Sequence, residues 1–212
     1  MAYMRNEVET MKWDRLADDA TVKKVADALS TRGFEAFVVE NGAQAKKKVF
    51  ELIPEGSEVM EGTSITLNTI GVTSELEESG KYNSVRKRLH GINDSEKRNA
   101  ERRKSLGAAY GIGSVHAITE DGQIVTASAS GSQISTYAFD SQTVVLVVGT
   151  QKIVKDLDEA FARIYEYSLP LESKRVRDAY GWEGSYVGKI LIIERDRPGR
   201  IKIILVKEKL GF

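Results

Sequence analysis

The chain has no cysteine among its 212 residues and only two histidines, His90 and His116. Without cysteine there is no disulfide, no thiolate zinc site, no cysteine nucleophile and no protein-ligated iron–sulfur cluster of the usual kind. Two histidines far apart in sequence argue against a histidine-rich metal site, so no metal is expected and no cofactor is evident in the chain. Net charge is missing as well, since 31 Lys plus Arg meet 31 Asp plus Glu. A neutral sum argues against a protein that coats nucleic acid or another polyanion. Long apolar runs are also lacking. Runs such as Val144–Val148 fall far short of the roughly 20 residues that span a bilayer. Met1–Arg15 carries charges and no apolar core of signal-peptide length, so a cytoplasmic protein with no membrane contact is expected.

What is present is ordinary soluble composition, 41% hydrophobic and 29% charged. A length of 212 suits one α/β domain spanning 1–212. The charge is balanced in sum but not along the chain. Residues 1–80 hold 9 basic and 15 acidic side chains, a net of −6. Residues 81–104 hold 9 basic and 3 acidic, a net of +6. The remaining 13 basic and 13 acidic residues cancel. Lys81–Lys104 therefore reads either as a solvated helix face with pairs such as Glu101 near Lys97 and Arg98, or as a basic rim for an anionic ligand or acidic partner.

Helical and strand patterns alternate. Val22, Val25, Ala26 and Leu29 fall at helical spacing, with Thr21 as the expected cap and Gly33 as the stop. Phe34–Glu40 reads as a strand and Asn41-Gly42 as a turn. Ala45, Val49, Leu52 and Ile53 form a second helical stripe ended by Pro54. Glu58–Met60 reads as a short buried strand, Ser64–Gly71 as a short helix capped by Thr63 or Ser64, and Asp94–Leu106 as a polar surface helix. Ser114–Thr119 and Gln123–Ser128 flank Glu120-Asp121-Gly122, a hairpin signal. Thr143–Gly149 is apolar on both faces, as in a central parallel strand. Leu157, Ala160, Phe161, Ile164 and Tyr165 make a core-facing helix. Lys189–Glu194 and Ile201–Lys207, around Arg197-Pro-Gly199, read as a late hairpin. The order predicts a three-layer α/β/α domain with an open, mainly parallel sheet and a β-hairpin insertion.

Four segments and one carboxylate are candidates for chemistry. Gly62, Thr63, Ser64 and Thr66 follow a strand and open a helix, where ligands gather in open α/β sheets. The plainer role of these hydroxyls is a helix cap. Ser130, Gly131 and Ser132, within Ser128–Ser132, could form an anion-binding nest or only a tight turn. Lys152 follows the apolar strand and could offer a cation to a carboxylate or phosphate, or be an exposed loop lysine. Gly107–Gly113 is glycine-rich but matches neither a phosphate loop nor a dinucleotide fingerprint, and reads as a flexible approach to the hairpin. Glu120, in the hairpin turn, is either solvated or a general base or nucleophile, if the turn folds into a cleft. His116 lies in an apolar strand and reads as a structural residue.

Taken in order, Glu61–Gly71, Ala117–Val125, Ser128–Ser132 and Val147–Val154 with Asp158-Glu-Ala160 resemble the LUD (lactate utilisation) domain family, from about residue 10 to 212. The resemblance implies a fold like that of glucosamine-6-phosphate deaminase, ribose-5-phosphate isomerase and CoA transferases. It implies a role near lactate oxidation, beside iron–sulfur partner proteins. This cysteine-free chain would be the cluster-free component. Roles carry over best to Ser64, Thr66, Glu120 and Lys152. Three positions depart from the lactate-linked pattern. The hairpin reads Glu120-Asp-Gly-Gln123 where those members have Glu-Thr-Gly-Thr, Gln151 replaces the Asn before the lysine, and Thr69 stands where Glu is expected. The first two point to a stand-alone branch whose ligand need not be lactate.

Three functions follow. The chain could be a component of lactate or small organic-acid use that binds an anionic small molecule at the C-terminal sheet edge. It could be a stand-alone enzyme on a sugar-phosphate, CoA ester or folate-type substrate, with Glu120 as base or nucleophile. It could be a non-catalytic binding or regulatory module docking an acidic partner on Lys81–Lys104. A homodimer is the base-rate expectation.

Overall fold

A computed structural model describes residues 11–212 of the chain, and most of the charged segment Met1–Arg15 lies outside them. The described chain runs through a one-turn 3-10 helix (Met11–Asp14), α1 (Asp19–Thr31), β1 (Glu35–Val39), α2 (Gly42–Leu52), β2 (Glu58–Glu61), α3 (Ile65–Thr69) and α4 (Val72–Glu78). It continues through β3 (Asn83–Ser84), α5 (Val85–His90), α6 (Ser95–Lys104), β4 (Tyr110–Gly113), β5 (Ala117–Thr119), β6 (Ile124–Ser128) and β7 (Thr143–Gly149). It ends with β8 (Ile153–Val154), α7 (Leu157–Arg163), a π-helical turn (Ile164–Ser168), α8 (Leu169–Tyr180), β9 (Lys189–Ile193) and β10 (Ile201–Val206). No helix among the described residues is long and apolar enough to cross a membrane.

Six strands form a parallel sheet in the order β1-β10-β7-β4-β2-β3. The apolar run of β7 lies at its middle, as its two-sided hydrophobicity requires. Val144, Leu146 and Val148 face one side, where they pack with Val22, Val25 and Leu29 of α1. Val145 and Val147 face the other, against Ala45 and Val49 of α2 and Val72 and Leu76 of α4. Each such fully buried aliphatic side chain is worth about 1.5–3 kcal/mol of transfer free energy. Helices thus flank a mainly parallel sheet, as the pattern predicts. The hairpin is more than an insertion, because β5 and β6 form the middle of a second sheet ordered β8-β5-β6-β9. Its inner face shares the α1 side of the core through Ile118 and Ile124, and its outer face packs Ala117 and Val125 against Ala160 and Ile164.

Several local expectations are corrected. Asp18, not Thr21, caps α1, and its carboxylate accepts from the Thr21 N–H at 2.7 Å. Asn41 is the cap of α2 and not a free turn, accepting from the Gln44 N–H at 3.0 Å. Lys189–Lys207 is not a hairpin. β9 joins β6 in the second sheet, while β10 crosses over to lie between β1 and β7. Arg200, 6% exposed, pins that crossover by pairing with Asp196 at 2.6 Å and donating to the Ser141 carbonyl at 3.0 Å. Three of the nine basic residues of the stretch form ion pairs with the acidic segment before it. Lys81 meets Glu55, Arg86 meets Glu61 and Glu77, and Arg88 meets Glu58. Glu101 pairs with Arg88 and not with Lys97 or Arg98.

The largest correction concerns Gly107–Gly113. Its second half is β4, a buried strand bonded to both β2 and β7. Its glycines serve close packing. A Cβ on Gly111 would lie 2.3 Å from the Thr136 methyl, and one on Gly113 would lie 1.7 Å from the Tyr137 hydroxyl. Gly113→Ala is therefore expected to destabilise the fold, at the upper end of the roughly 1–3 kcal/mol typical of overpacking. Adding Tyr137→Phe should recover part of that loss in a urea-denaturation double-mutant cycle. Purely additive losses would show that Tyr137 is not what fills the space.

Candidate functional site

The C-terminal ends of β2, β4 and β7 open onto one cavity of about 480 Å³. After β2 the chain contributes Gly62, Thr63, Ser64 and Thr66, after β4 it contributes Ser114 and His116, and after β7 it contributes Lys152. The second sheet adds Ser128, Ser130, Ser132 and Gln133. The segment around α8 adds Glu172, Arg175, Trp182 and Tyr186. The cavity thus gathers all the expected small-residue positions except Gly131, which lies beside it in the turn. Gly131 takes φ +88° there, and a Cβ would meet the Lys189 side chain at 2.8 Å.

Lys152 is the innermost charged group among them. It is 2% exposed, so the picture of an exposed loop lysine is corrected. Its Nζ donates to Thr66 Oγ1 at 3.2 Å and to Ser114 Oγ at 3.1 Å. No carboxylate among the described residues pairs with it. Burial, reinforced by the positive charge of Arg163, pushes its proton affinity well below that of an ordinary lysine. Arg163 is itself fully buried, donating to the His116 carbonyl at 2.6 Å and to Ser168 Oγ at 3.2 Å. Burial lowers it to about 10. Two cations thus share an interior region that contains no carboxylate partner for Lys152.

Thr66 has one hydroxyl proton. Leu210 O, at 3.1 Å, is a nearer acceptor for it than Ser114 Oγ, at 3.4 Å. Thr66 therefore accepts from the lysine. Gln151, 1% exposed, donates to the same Leu210 carbonyl at 3.0 Å. The residue that departs from the lactate-linked pattern thus ties the chain's last segment to the site.

The serine-rich turn is not an open nest. The Gly131 N–H is taken by Ser128 Oγ at 2.9 Å and the Ser132 N–H by Ser130 Oγ at 3.3 Å. The turn offers the cavity hydroxyls, not free amides. Ser64 Oγ, at 3.3 Å from the Leu67 N–H, caps α3 while lining the same wall.

His116 lines the cavity, a placement its strand pattern does not disclose. Its Nδ1 accepts the Ala127 N–H at 3.1 Å, which leaves the proton of the neutral ring on Nε2. Burial, with Lys152 and Arg163 nearby, pushes the ring down to about 3. Arg175 is matched by Glu172, with two bonds of 2.7 Å. Arg102, exposed at the rim, makes no ion pair among the described residues.

The model of the LUD domain matches residues 22–206. The chain belongs to the LUD domain family. Its fold is similar to that of a DUF162 family protein from Deinococcus radiodurans, solved at 1.70 Å, with a TM-score of 0.57. That likeness covers 91% of this chain and 99% of that one at 12% identity, and so concerns the fold alone. Among curated proteins, none matches the chain significantly.

Within this LUD domain, Glu120 stands apart from the cavity. Its hairpin turn packs on α1, and its carboxylate meets Lys24 Nζ at 2.8 Å on the surface. The cleft that a catalytic Glu120 requires is not there, so the geometry gives it a surface ion pair instead. Thr69 Oγ1 bonds back to the Ile65 carbonyl at 2.9 Å and takes no part in the cavity wall. No group of three or more metal-ligating side chains occurs among the described residues.

The depressed His116 sets a pH dependence. The unfolded ring takes a proton at about 6.5, whereas the folded one refuses it until about 3. Between those values the unfolded state binds more protons, so stability falls as pH drops through that window. The slope from this group reaches at most about 1.4 kcal/mol per pH unit. Urea denaturation across that range should show a shallower slope for His116→Asn, which keeps an acceptor for Ala127. An unchanged slope would count against a neutral His116.

Proposed function

We propose that this LUD domain binds a small organic anion of the 2-hydroxy- or 2-oxo-acid type in the cavity, with the acid group against Lys152. The protein would serve lactate or related organic-acid use as the cluster-free component. One observation carries the reading. Lys152 is a buried amine on the cavity wall with two hydroxyl partners and no carboxylate. Nature rarely buries a lone cationic group without a counter-charge or a use for it. An arriving carboxylate supplies that counter-charge, and the hydroxyls of Thr63, Ser114 and Ser130 offer donors to its oxygens and to a neighbouring hydroxyl or oxo group. Any electrons released in the chain's own pathway would leave through a partner, an iron–sulfur oxidoreductase being the one that the family resemblance implies. Association of the chain with itself belongs to the same proposal.

A second reading is favoured by size. About 480 Å³ exceeds what a three-carbon acid fills and lies within the range of larger ligands, about 300–1,000 Å³. Tyr180, Trp182 and Tyr186, each more than half exposed, line the outer part. A sugar-phosphate, CoA ester or folate-type substrate would use both ends.

The test is calorimetric. Lactate and pyruvate should bind with uptake of a proton, because the bound anion restores the proton affinity of Lys152. The proton appears as a dependence of the measured heat on the ionisation enthalpy of the buffer. Lys152→Met should weaken binding by about 10- to 100-fold, the worth of one hydrogen bond to a charged group. Equal affinity in wild type and Lys152→Met would overturn the reading.

A further inference from the structure

We infer that the Lys152 amine condenses with the carbonyl carbon of a 2-oxo acid seated in the cavity, so that the site tells an oxo acid from the corresponding hydroxy acid by covalent chemistry. The inference rests on the proposed binding of organic acids at Lys152 and goes beyond it, since a salt bridge alone would treat the two acids alike.

The geometry of the amine leads there. A neutral amine has two N–H groups and one lone pair. Its two N–H groups are directed to Thr66 Oγ1 and Ser114 Oγ, at 3.2 and 3.1 Å. Thr66 cannot return a proton to the lone pair, because its own goes to the Leu210 carbonyl. Lys152 and both hydroxyl partners of its amine line the cavity. A buried cation, Arg163, donates to the His116 carbonyl and opposes protonation of the lysine. Desolvation and a neighbouring cation are the two devices that turn a lysine into a nucleophile toward carbonyl substrates.

The step balances with one proton taken up from solvent. The nitrogen lone pair forms a bond to C2 of the oxo acid, and the carbonyl π pair moves to oxygen. That oxygen takes a proton as the nitrogen loses one, giving a carbinolamine. Ser114 Oγ, whose proton no described contact claims, is placed to pass it. The hydroxyl then takes a proton from solvent and leaves as water as the nitrogen lone pair forms the C=N bond, and the product is a protonated imine. A 2-hydroxy acid has no carbonyl and stops at non-covalent binding. The protonated imine sets its own positive charge beside the carboxylate of the same ligand, so the acid supplies the counter-charge that the unliganded site lacks.

The experiment is borohydride trapping on the full chain with pyruvate, glyoxylate and 2-oxoglutarate, and lactate as the non-carbonyl control. Reduction of the imine fixes the ligand on the lysine as a secondary amine, adding the mass of the oxo acid less one oxygen atom. Peptide mapping should place that addition on Lys152. Lys152→Arg, which keeps a cation without a nucleophilic amine, and Lys152→Met should both lose it. The wild-type map decides the matter even if a variant fails to fold. Binding seen by calorimetry with no adduct, or adducts scattered over surface lysines, overturns the inference and leaves the proposed function standing. Neither binding nor adduct with any of these acids overturns both.

Discussion

Lys152 brings an amine to a point where neither water nor a carboxylate can solvate its charge, and separate parts of the chain converge to hold it. Thr66 comes from α3, Ser114 from the turn after β4, and Leu210 from the end of the chain, orienting the Thr66 proton. A lone charge buried in this way is expensive enough that the group sheds its proton instead. The interior could have been arranged otherwise. Glu61, at the end of β2, is also buried, but it is met by Thr73 at 2.5 Å and Arg86 at 3.2 Å. Two buried ionisable groups lie near one end of the same sheet. One is compensated within the fold and the other is left for a ligand.

The open cavity depends on how the central strands are built. β7 is filled on both faces by valine and leucine, which fixes its end firmly beneath Lys152. β4 does the opposite, with Gly111 and Gly113 lacking side chains so that Thr136, Ser141 and Tyr137 can lie directly on the strand. The Tyr137 hydroxyl then donates to the Ser114 carbonyl at 3.3 Å and closes the wall below the amine. A bulkier β4 would push Tyr137 outward and take the Ser114 hydroxyl with it. The two missing Cβ atoms are therefore part of the site as much as of the core.

This balance also explains what could be read along the chain and what could not. The stripes Val22–Leu29 and Ala45–Val49 and the run Val144–Val148 are statements about burial, and burial is what organises the fold. Small hydroxyl residues at 62–66 and 130–132 mark loops at strand ends, and those loops do meet. β4 is concealed because four residues with two glycines look like a linker, and only the contacts from Thr136, Ser141 and Tyr137 explain them. β10 reads as a hairpin partner of β9 because neighbours in sequence usually pair, and nothing local announces that Arg200 is anchored to Ser141. The surroundings of Glu120 are hidden for the same reason. A turn signal fixes that the chain reverses, not which neighbour the turn faces. Ser114, His116, Tyr137 and the stretch from α8 to Tyr186 carry no motif, and only the tertiary arrangement brings them to the cavity.

Gln151, beside the lysine, is where the local and the distant meet. Its side chain reaches Leu210 O at 3.0 Å, and it fits because Gly149 has no Cβ, which would stand 2.1 Å from the Gln151 oxygen. A carbonyl has two lone pairs. Leu210 O gives one to Gln151 and the other to Thr66. Gly211 must also be bare here, because a Cβ would lie 2.6 Å from Thr66 Oγ1. The residue beside the lysine thus acts on the lysine by way of the far end of the chain. It holds the carbonyl that takes the Thr66 proton, so Thr66 can only accept from the amine. The lone pair on Lys152 is left free by a chain of hydrogen bonds in which every donor has one direction open to it.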